Sequence, residues 1–153
     1  MSNAFEGGCA CGGLRYRCSE APLAQLICHC RDCQHTSGSA FTACLIIPRD
    51  RLWMRGTSFG EHVVVAASGA TVRRRFCAAC GAPVSIYKPQ APLIEFLHAG
   101  SLDDPALFRP TCEIWTSRAS PWHPFLPNTE KFPEGPAPHA IAAPIEAYFA
   151  ARS

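Results

Sequence analysis

Seven of the ten cysteines in this chain lie in three tight clusters. The clusters are a pair, a triplet and a second pair: Cys9-x-Cys11, Cys28-x-Cys30-x-x-Cys33 and Cys77-x-x-Cys80. A closed structural zinc site has about four protein ligands, whereas a zinc site that performs chemistry has about three and leaves one position for solvent or substrate. The count of two, three and two therefore predicts one site of each kind.

Glycines that follow the two outer pairs indicate that these pairs belong to one site. Cys11 is followed by Gly12 and Gly13, and Cys80 is followed by Gly81. Glycine adopts positive φ at no steric cost, and this conformation lets backbone N–H groups turn toward thiolate sulfurs. We therefore predict that a structural zinc is held by Cys9, Cys11, Cys77 and Cys80.

The middle triplet differs because its three cysteines lie within six residues. A single turn of chain can bring three such thiolates to one ion without a ligand from elsewhere. We predict a second, open zinc site here, and we assign the catalytic role to its ligands Cys28, Cys30 and Cys33. The alternative is one zinc held by any four of the seven cysteines, with the remaining thiols buried.

Other residues are candidates for a fourth position in the open site. They are His29, His35, Cys44 and Cys112. If Cys28 and Cys30 point to the metal along an extended stretch, His29 points the other way, which predicts a packing or supporting role for it. Cys18, Cys44 and Cys112 lie in apolar strand candidates and are predicted to be small core residues.

The charge of the open site narrows the class of reaction. A divalent zinc with three thiolates has a formal charge of about −1, which makes it a poorer Lewis acid than a zinc held by neutral histidines. Activation of water is therefore disfavoured. Such a centre is better suited to holding a further sulfur as a thiolate and presenting it to an electrophile, so small thiols are the predicted substrates.

Short β-type runs between scattered prolines and glycines predict a mainly β, antiparallel fold. The strand candidates are Leu14–Cys18, Phe41–Ile47, Leu52–Arg55, His62–Ala67, Thr71–Phe76, Val84–Tyr87, Ile94–Ala99 and Cys112–Thr116. A short helical turn is expected at Arg31–Thr36 and a helix at Ala142–Ala151, where Pro144 is compatible with a first turn. The proline-rich stretch Pro121–Pro138 is expected to be irregular.

Chain length and the N-terminal sequence indicate the number of domains and the cellular compartment. A chain of 153 residues is expected to form one domain with a real core. Met1–Gly8 has no signal-peptide pattern and no segment approaches the ~20 apolar residues of a membrane span, so we expect a cytoplasmic protein. Thiols stay reduced there, which favours metal binding over two alternatives: a secreted disulfide framework and a redox pair at Cys77 and Cys80.

The net charge is only +2, which gives the whole chain no electrostatic case for a polyanionic partner. The run Arg73-Arg74-Arg75 is the local exception. On a strand, Arg73 and Arg75 share one face and Arg74 the other, which is typical of a solvated sheet surface and less often of an anion-binding strip.

Three ordered motifs carry a resemblance to a known family. They are Gly8-Cys-x-Cys-Gly12, Cys28-His-Cys-x-x-Cys33-x-x-x-x-Gly38-Ser39-x-Phe41 and Arg75-Phe-Cys-x-x-Cys-Gly81. The resemblance continues through Gly100-Ser-Leu-Asp-Asp-Pro105, Ile114-Trp115 and Trp122, so it covers about residues 5–133 and leaves 134–153 as a C-terminal extension. By these motifs the chain resembles the glutathione-dependent formaldehyde-activating enzyme (GFA) family, which includes the centromere protein V group.

The resemblance implies a fold, two cofactor ions and a reaction. The fold is an Mss4-like zinc-binding arrangement of short antiparallel sheets in one domain over residues 1–153. The cofactor is zinc, with a structural ion at the four outer cysteines and a second ion at the middle triplet. The activity is the condensation of formaldehyde with glutathione to S-hydroxymethylglutathione, a carbon–sulfur lyase reaction in the reverse sense.

The implied partner is glutathione or another small thiol, with no membrane and with nucleic acid disfavoured by the charge. Arg31, Arg73 and Arg75 are candidates to attract the glutathione carboxylates. Phe41, Trp115 and Trp122 are candidates for a pocket wall, and equally for the core. Two competing hypotheses are a non-catalytic zinc module that binds protein or nucleic acid, and a thiol or metal sensor.

Overall fold

The computed structural model describes residues 3–153 and is mainly β, with eleven strands and two short α-helices in that range. The strands are β1 (Phe5–Gly8), β2 (Leu14–Cys18), β3 (Ala24–Cys28), β4 (Thr42–Pro48), β5 (Leu52–Gly56), β6 (Phe59–Val65), β7 (Thr71–Cys77), β8 (Pro83–Tyr87), β9 (Ile94–His98), β10 (Cys112–Ile114) and β11 (Glu130–Lys131). The helices are α1 (Arg31–Ser37) and α2 (Ala142–Ala150). Single 3-10 turns occupy Arg49–Arg51, Ala99–Ser101, Pro105–Leu107, Thr116–Arg118 and Pro138–Ala140.

The chain divides into two compact units. The first comprises the chain up to Pro22 together with Ile46–Leu107, and the second comprises Leu23–Leu45 together with Phe108–Ser153. The prediction of one domain over residues 1–153 stays a prediction, and its first two residues lie outside the described range. Within residues 3–153, no helix has the length and apolar character needed to cross a membrane.

The first unit contains a three-stranded antiparallel sheet in the order β1-β2-β5. Alternation along β2 buries Leu14, Tyr16 and Cys18 on one face and directs Arg15 and Arg17 to the other. The buried Tyr16 hydroxyl lies 2.9 Å from the Ser101 hydroxyl, which satisfies both groups. This sheet supports the turn that contains the first cysteine pair.

Four more strands of the first unit pair antiparallel in the order β9-β8-β7-β6. An irregularity in the pairing of β7 with β8 falls between Arg75 and Phe76, just before Cys77 ends the strand. Buried Val84 and Leu97 belong to the core of this unit. The second outer cysteine pair therefore begins at the last residue of β7, Cys77, and ends in the turn that follows.

The second unit contains strands in the order β11-β10-β3-β4, and the first residues of β4 belong to it. Strand β10 pairs parallel with both β3 and β11, so the expected antiparallel pairing does not hold here. The register places Ile114 opposite Cys28, the last residue of β3. Helix α1 follows almost at once and ends at Gly38, whose left-handed conformation (φ 64°) lets its N–H donate to the carbonyl of Gln34.

The predicted mainly β architecture, the short helix after the middle cysteine cluster and the C-terminal helix are confirmed. All eight predicted strands exist with boundaries shifted by at most three residues, and β1, β3 and β11 were not predicted. Burial of Cys18, Cys44 and Cys112 confirms that these three are core residues. The stretch Pro121–Pro138 is irregular except for the two-residue strand β11 and the start of a 3-10 turn.

Candidate metal centres

Four cysteines of the first unit converge as predicted. The Sγ atoms of Cys9, Cys11, Cys77 and Cys80 all lie within 4.8 Å of one another. Cys11 Sγ is 3.6 Å from Cys9 Sγ and 3.7 Å from Cys77 Sγ. A tetrahedral zinc with Zn–S bonds of about 2.3 Å places its sulfurs about 3.8 Å apart, so the donor set and its spacing fit this ion.

Two similar turns build this site. Cys9 and Cys11 lie in the turn between β1 and β2, where the Leu14 N–H donates to Cys9 Sγ at 3.2 Å. Gly12 and Gly81 both have φ of 77°, and their N–H groups donate to the carbonyls of Cys9 and Cys77 respectively. The prediction of positive φ after each pair is therefore confirmed at these two glycines.

Gly13 has a different reason to be glycine. A Cβ atom at this position would lie 2.3 Å from the Ser58 hydroxyl oxygen. That oxygen lies 3.3 Å from Cys77 Sγ, so the absence of a side chain at Gly13 makes room for a hydroxyl that supports a ligand sulfur. Ser58 was not predicted as a site residue, and its position between two strands gave no signal.

Contacts among the close thiols and with nearby hydrogen-bond donors shift the pKa values of the first cluster in different directions. The hydroxyl of Ser58, followed by the backbone N–H of Cys80, lowers the pKa of Cys77 to about 6. Backbone N–H groups of Ala82 and Cys11 lower the pKa of Cys80. The N–H of Gly13 acts in the same direction on Cys11, but contacts with the three neighbouring thiols outweigh it and raise the pKa of Cys11 to about 11. Full ionisation of this cluster is therefore opposed at Cys11, and a bound cation would remove that cost.

The three remaining clustered cysteines form a separate group in the second unit. Cys28 ends β3, Cys30 caps the N-terminus of α1 and Cys33 lies in its first turn. Their Sγ atoms lie within 4.8 Å of one another, and the Cys33 N–H donates to Cys30 Sγ at 3.4 Å. Among residues 3–153 no histidine, cysteine or carboxylate joins this group as a fourth member, including the candidates His29, His35, Cys44 and Cys112.

Contacts among the three thiols of the second cluster shift their pKa values in opposite directions. Hydrogen bonds from the Cys28 and Cys33 thiols, aided by nearby backbone N–H groups, lower the pKa of Cys30 to about 2. The same contacts, together with burial, raise the pKa of Cys28. For Cys33 the contact with Cys28 lowers the pKa, but Cys30 and burial outweigh it and raise the value to about 11. Three soft donors with an anionic centre form a ligand set suited to zinc.

His29 lies between two of these cysteines and is completely buried. Its Nε2 is 2.6 Å from Glu113 Oε2, and Glu113 Oε1 accepts hydrogen bonds from the Leu126 N–H at 2.8 Å and the Thr129 hydroxyl at 2.7 Å. Burial raises the pKa of Glu113, but these hydrogen bonds and the His29 ring outweigh it and leave the pKa lowered. The Glu113 carboxylate holds the His29 ring at Nε2, while the buried Nδ1 has no hydrogen-bond partner among residues 3–153.

Aromatic rings surround His29. Ring centroids lie 5.4 Å away for Phe125, 5.8 Å for Phe41 and 6.4 Å for His123. Phe41 thus lies beside His29, and its role as a pocket wall stays a prediction. Trp122 contacts only His123 among these rings and is 71% exposed, so the alternative that it belongs to the core is wrong.

Trp115 has a left-handed backbone conformation. Trp115 follows β10 directly with φ of 56°, the one positive value among the non-glycine residues described, and its N–H donates to the Glu134 carbonyl.

The three candidate arginines all bond to other side chains. Arg31 on α1 donates to Gln34 Oε1. Arg73 and Arg75 both bond to Glu61, which confirms that they share a face, and Arg75 also donates to buried Glu95 at 2.7 Å.

Sequence reasoning missed Glu113 as a partner of the predicted site. Its signal is a lone carboxylate between Cys112 and Ile114 in an apolar strand, because a buried acid needs a partner. His123 and Phe125 were missed because they lie in an irregular segment with no periodic pattern.

A mainly β chain with one four-cysteine and one three-cysteine cluster defines a class of cysteine-rich proteins whose clusters could hold metal ions. Residues 4–118, well over half of the chain, match the sequence profile described as glutathione-dependent formaldehyde-activating enzyme. The chain belongs to this family. No curated protein matches it.

A solved structure shares the fold. The chain is similar to the crystal structure of a protein from Rhodobacter sphaeroides, with 14% sequence identity and a TM-score of 0.51. The similarity covers 64% of this chain and 87% of the other. At this identity the likeness concerns the architecture alone.

Proposed function

We propose that this protein is a zinc-dependent carbon–sulfur lyase that acts on a glutathione adduct such as S-hydroxymethylglutathione. The observation that carries the proposal is the open three-cysteine group Cys28, Cys30 and Cys33 beside the buried pair of His29 and Glu113. Family membership supports the choice of glutathione and formaldehyde as reactants. We also propose that residues 1–153 act as one domain in the cytoplasm, where the thiols stay reduced.

The two cysteine groups take different roles in this proposal. Cys9, Cys11, Cys77 and Cys80 hold a structural zinc, because four sulfurs complete a tetrahedron. Cys28, Cys30 and Cys33 hold a second zinc and leave one position for the substrate. When bound there, zinc lowers the pKa of a substrate thiol so that it is a thiolate at neutral pH.

The reaction balances without a further reactant. The glutathione sulfur adds to the carbonyl carbon of formaldehyde, a C–S bond forms, and the proton lost from the thiol is recovered on the new hydroxyl oxygen. In the reverse direction the C–S bond breaks and formaldehyde leaves. We assign His29 a positioning role, because Glu113 fixes its buried ring and the ring in turn holds the chain between Cys28 and Cys30.

Arg31 is the arginine that we propose for binding a glutathione carboxylate. It is exposed and lies on α1 between Cys30 and Cys33. A guanidinium binds a carboxylate through two parallel hydrogen bonds. Arg31 bonds to the neutral amide of Gln34, whereas Arg75 is already paired with the carboxylates of Glu61 and Glu95.

The test compares the parent protein with Cys30→Ser. Elemental analysis, with and without glutathione, is combined with an assay of adduct formation from glutathione and formaldehyde. We expect two zinc ions in the parent, one in the variant, and no adduct formation by the variant beyond the uncatalysed rate. Cys44→Ala is the control, because Cys44 is buried but belongs to neither cluster, and it should retain both ions.

Turnover by Cys30→Ser at the parent rate would show that the catalytic assignment is wrong. Two zinc ions with no turnover in the parent would favour a non-catalytic zinc module. Release of the second zinc by a mild oxidant, again without turnover, would favour a thiol sensor.

A further inference from the structure

The outer face of the β1-β2-β5 sheet carries a cluster of arginines around one tryptophan. Alternation along β2 and β5 places Arg15, Arg17, Trp53 and Arg55 on this face, while the intervening residues of β2 are buried. Together with Glu6 on β1 they line a cavity of about 310 Å³. This volume is at the lower end of the ~300–1,000 Å³ typical of small-molecule sites.

Arginines outnumber the acidic side chains on this face, where Glu6 lies opposite Arg17 in the register. Arg15 lies directly opposite Arg55, and like charges in that position destabilise a sheet. Arg15 is paired with Asp103, but no carboxylate within residues 3–153 forms an ion pair with Arg17 or Arg55. Three guanidinium groups against the carboxylates of Glu6 and Asp103 leave a net positive charge here, so the face is suited to an anion.

Trp53 supplies a flat apolar surface beside these charges. It lies opposite Arg17 in the register and is 56% exposed. In the part of the chain that the structure describes, no cation or other ring covers its indole. A ring of a ligand can therefore stack on Trp53, and base stacking on an aromatic side chain contributes about 1–3 kcal/mol per base.

We propose that this face binds a nucleoside phosphate, with the base on Trp53 and the phosphate between Arg17 and Arg55. Guanidinium groups suit phosphate because they donate two parallel hydrogen bonds. Glu6, which lies opposite Arg17 on the other side of β2, provides an acceptor for a sugar hydroxyl or a base amino group. The site uses no residue of either cysteine cluster, so the inference is independent of the proposed lyase activity.

The phosphate can belong to a free nucleotide or to a single-stranded nucleic acid, and the test has an arm for each source. Zinc-loaded full-length protein is titrated with ADP and with adenosine by calorimetry, and with a labelled oligothymidylate of about ten nucleotides by fluorescence anisotropy. We expect ADP to bind more tightly than adenosine. An oligonucleotide that binds more tightly than ADP, with a steep salt dependence, identifies the single strand as the source.

Substitutions assign the binding to this face. Arg17→Ala, Arg55→Ala and Trp53→Ala should each weaken binding about tenfold or more, whereas Trp53→Phe should keep most of it. Arg109→Ala is the charge-matched control, because Arg109 is exposed and lies outside this sheet. The replaced side chains are partly or largely exposed, so zinc content and turnover of glutathione and formaldehyde should not change.

Two results would overturn the inference. One is the absence of binding of both ADP and the oligonucleotide at low salt. The other is binding by Trp53→Ala and Arg55→Ala with the parent affinity, because the ligand then lies elsewhere on the protein.

Discussion

His29 Nε2 and Glu113 Oε2 are 2.6 Å apart, and neither side chain is more than 1% exposed. The second oxygen of Glu113 is held by Leu126 and Thr129, so the carboxylate is fixed from both sides. A buried imidazole fixed in this way holds the backbone between Cys28 and Cys30 in one conformation. The pair therefore links the geometry of the open cysteine cluster to strand β10 and to the segment after it.

Replacing the carboxylate tests this link. Glu113→Gln keeps the shape of the side chain but removes the charge that holds the His29 ring. We expect a loss of about 10–100-fold in second-site zinc affinity or in kcat/KM, as is typical when a supporting hydrogen bond of a metal site is removed. Zinc affinity is measured by competition with a chelator, and turnover by adduct formation.

The chain offers a matched control for that substitution. His139 and Glu130 form a similar pair at 2.8 Å, but both side chains are largely exposed. Glu130→Gln should leave zinc affinity and turnover unchanged, because a surface ion pair contributes little. Equal losses in the two variants would contradict a specific role for Glu113.

The four-cysteine cluster is expected to determine stability rather than turnover. Cys11→Ser removes a predicted ligand at an exposed position without creating a core cavity. Structural zinc sites have apparent binding free energies of about 10–16 kcal/mol, so we expect a loss on the order of 5 kcal/mol in the free energy of unfolding. Thermal unfolding should show a much larger fall in Tm for Cys11→Ser than for Cys30→Ser, and the reverse order would exchange the two roles.

His98 should make the fold sensitive to acid. Burial lowers the pKa of this histidine from 6.5 to about 4, so between these values the unfolded chain binds a proton that the folded chain does not. The free energy of unfolding should therefore be unaffected above pH 6.5 and fall by about 3 kcal/mol as the pH drops toward 4. Urea unfolding at pH 7, 6 and 5 should show a flatter dependence for His98→Gln than for the parent. Parallel curves for the two proteins would show that His98 does not cause the loss.

Gly7 should tolerate no side chain. A Cβ atom there would lie 2.3 Å from both the Ser101 carbonyl oxygen and the Tyr16 hydroxyl oxygen, and the first of these belongs to the backbone. Gly7→Ala should lower the free energy of unfolding by about 1–3 kcal/mol, as overpacking does elsewhere. Gly100→Ala is the matched control, because apart from its chain neighbours no atom of residues 3–153 lies within 4 Å of its added Cβ. Equal chemical-denaturation midpoints for the two variants would contradict the prediction.

Sequence patterns predicted most of the strands, but not the strands that form mainly because they pair with an adjacent strand. Strand β3, Ala24–Cys28, was missed because a short apolar run running into a cysteine motif has no alternating pattern. Strand β11 consists of Glu130 and Lys131 within a proline-rich stretch, and pairing with β10 rather than propensity makes it a strand.

The cysteine clusters were predictable because ligand type and spacing limit metal sites strongly, and both predicted groups of sulfurs converge. Glu113 and Ser58 support those sulfurs from positions distant in sequence. Such contacts are set by tertiary packing, and no local spacing rule identifies them. The parallel pairing of β10 with β3, which brings Glu113 beside Ile27 in register and close to His29, is the clearest case.

The two cysteine groups also differ in when they can exist on a growing chain. Cys28, Cys30 and Cys33 are complete once the ribosome has made residue 33, whereas contact between Cys11 and Cys77 closes a loop of 66 positions and awaits Cys80. Closing a long loop costs entropy before any contact repays it. The triplet is thus available to a metal early in synthesis, and the four-sulfur site forms only after strand β7 has reached the first turn.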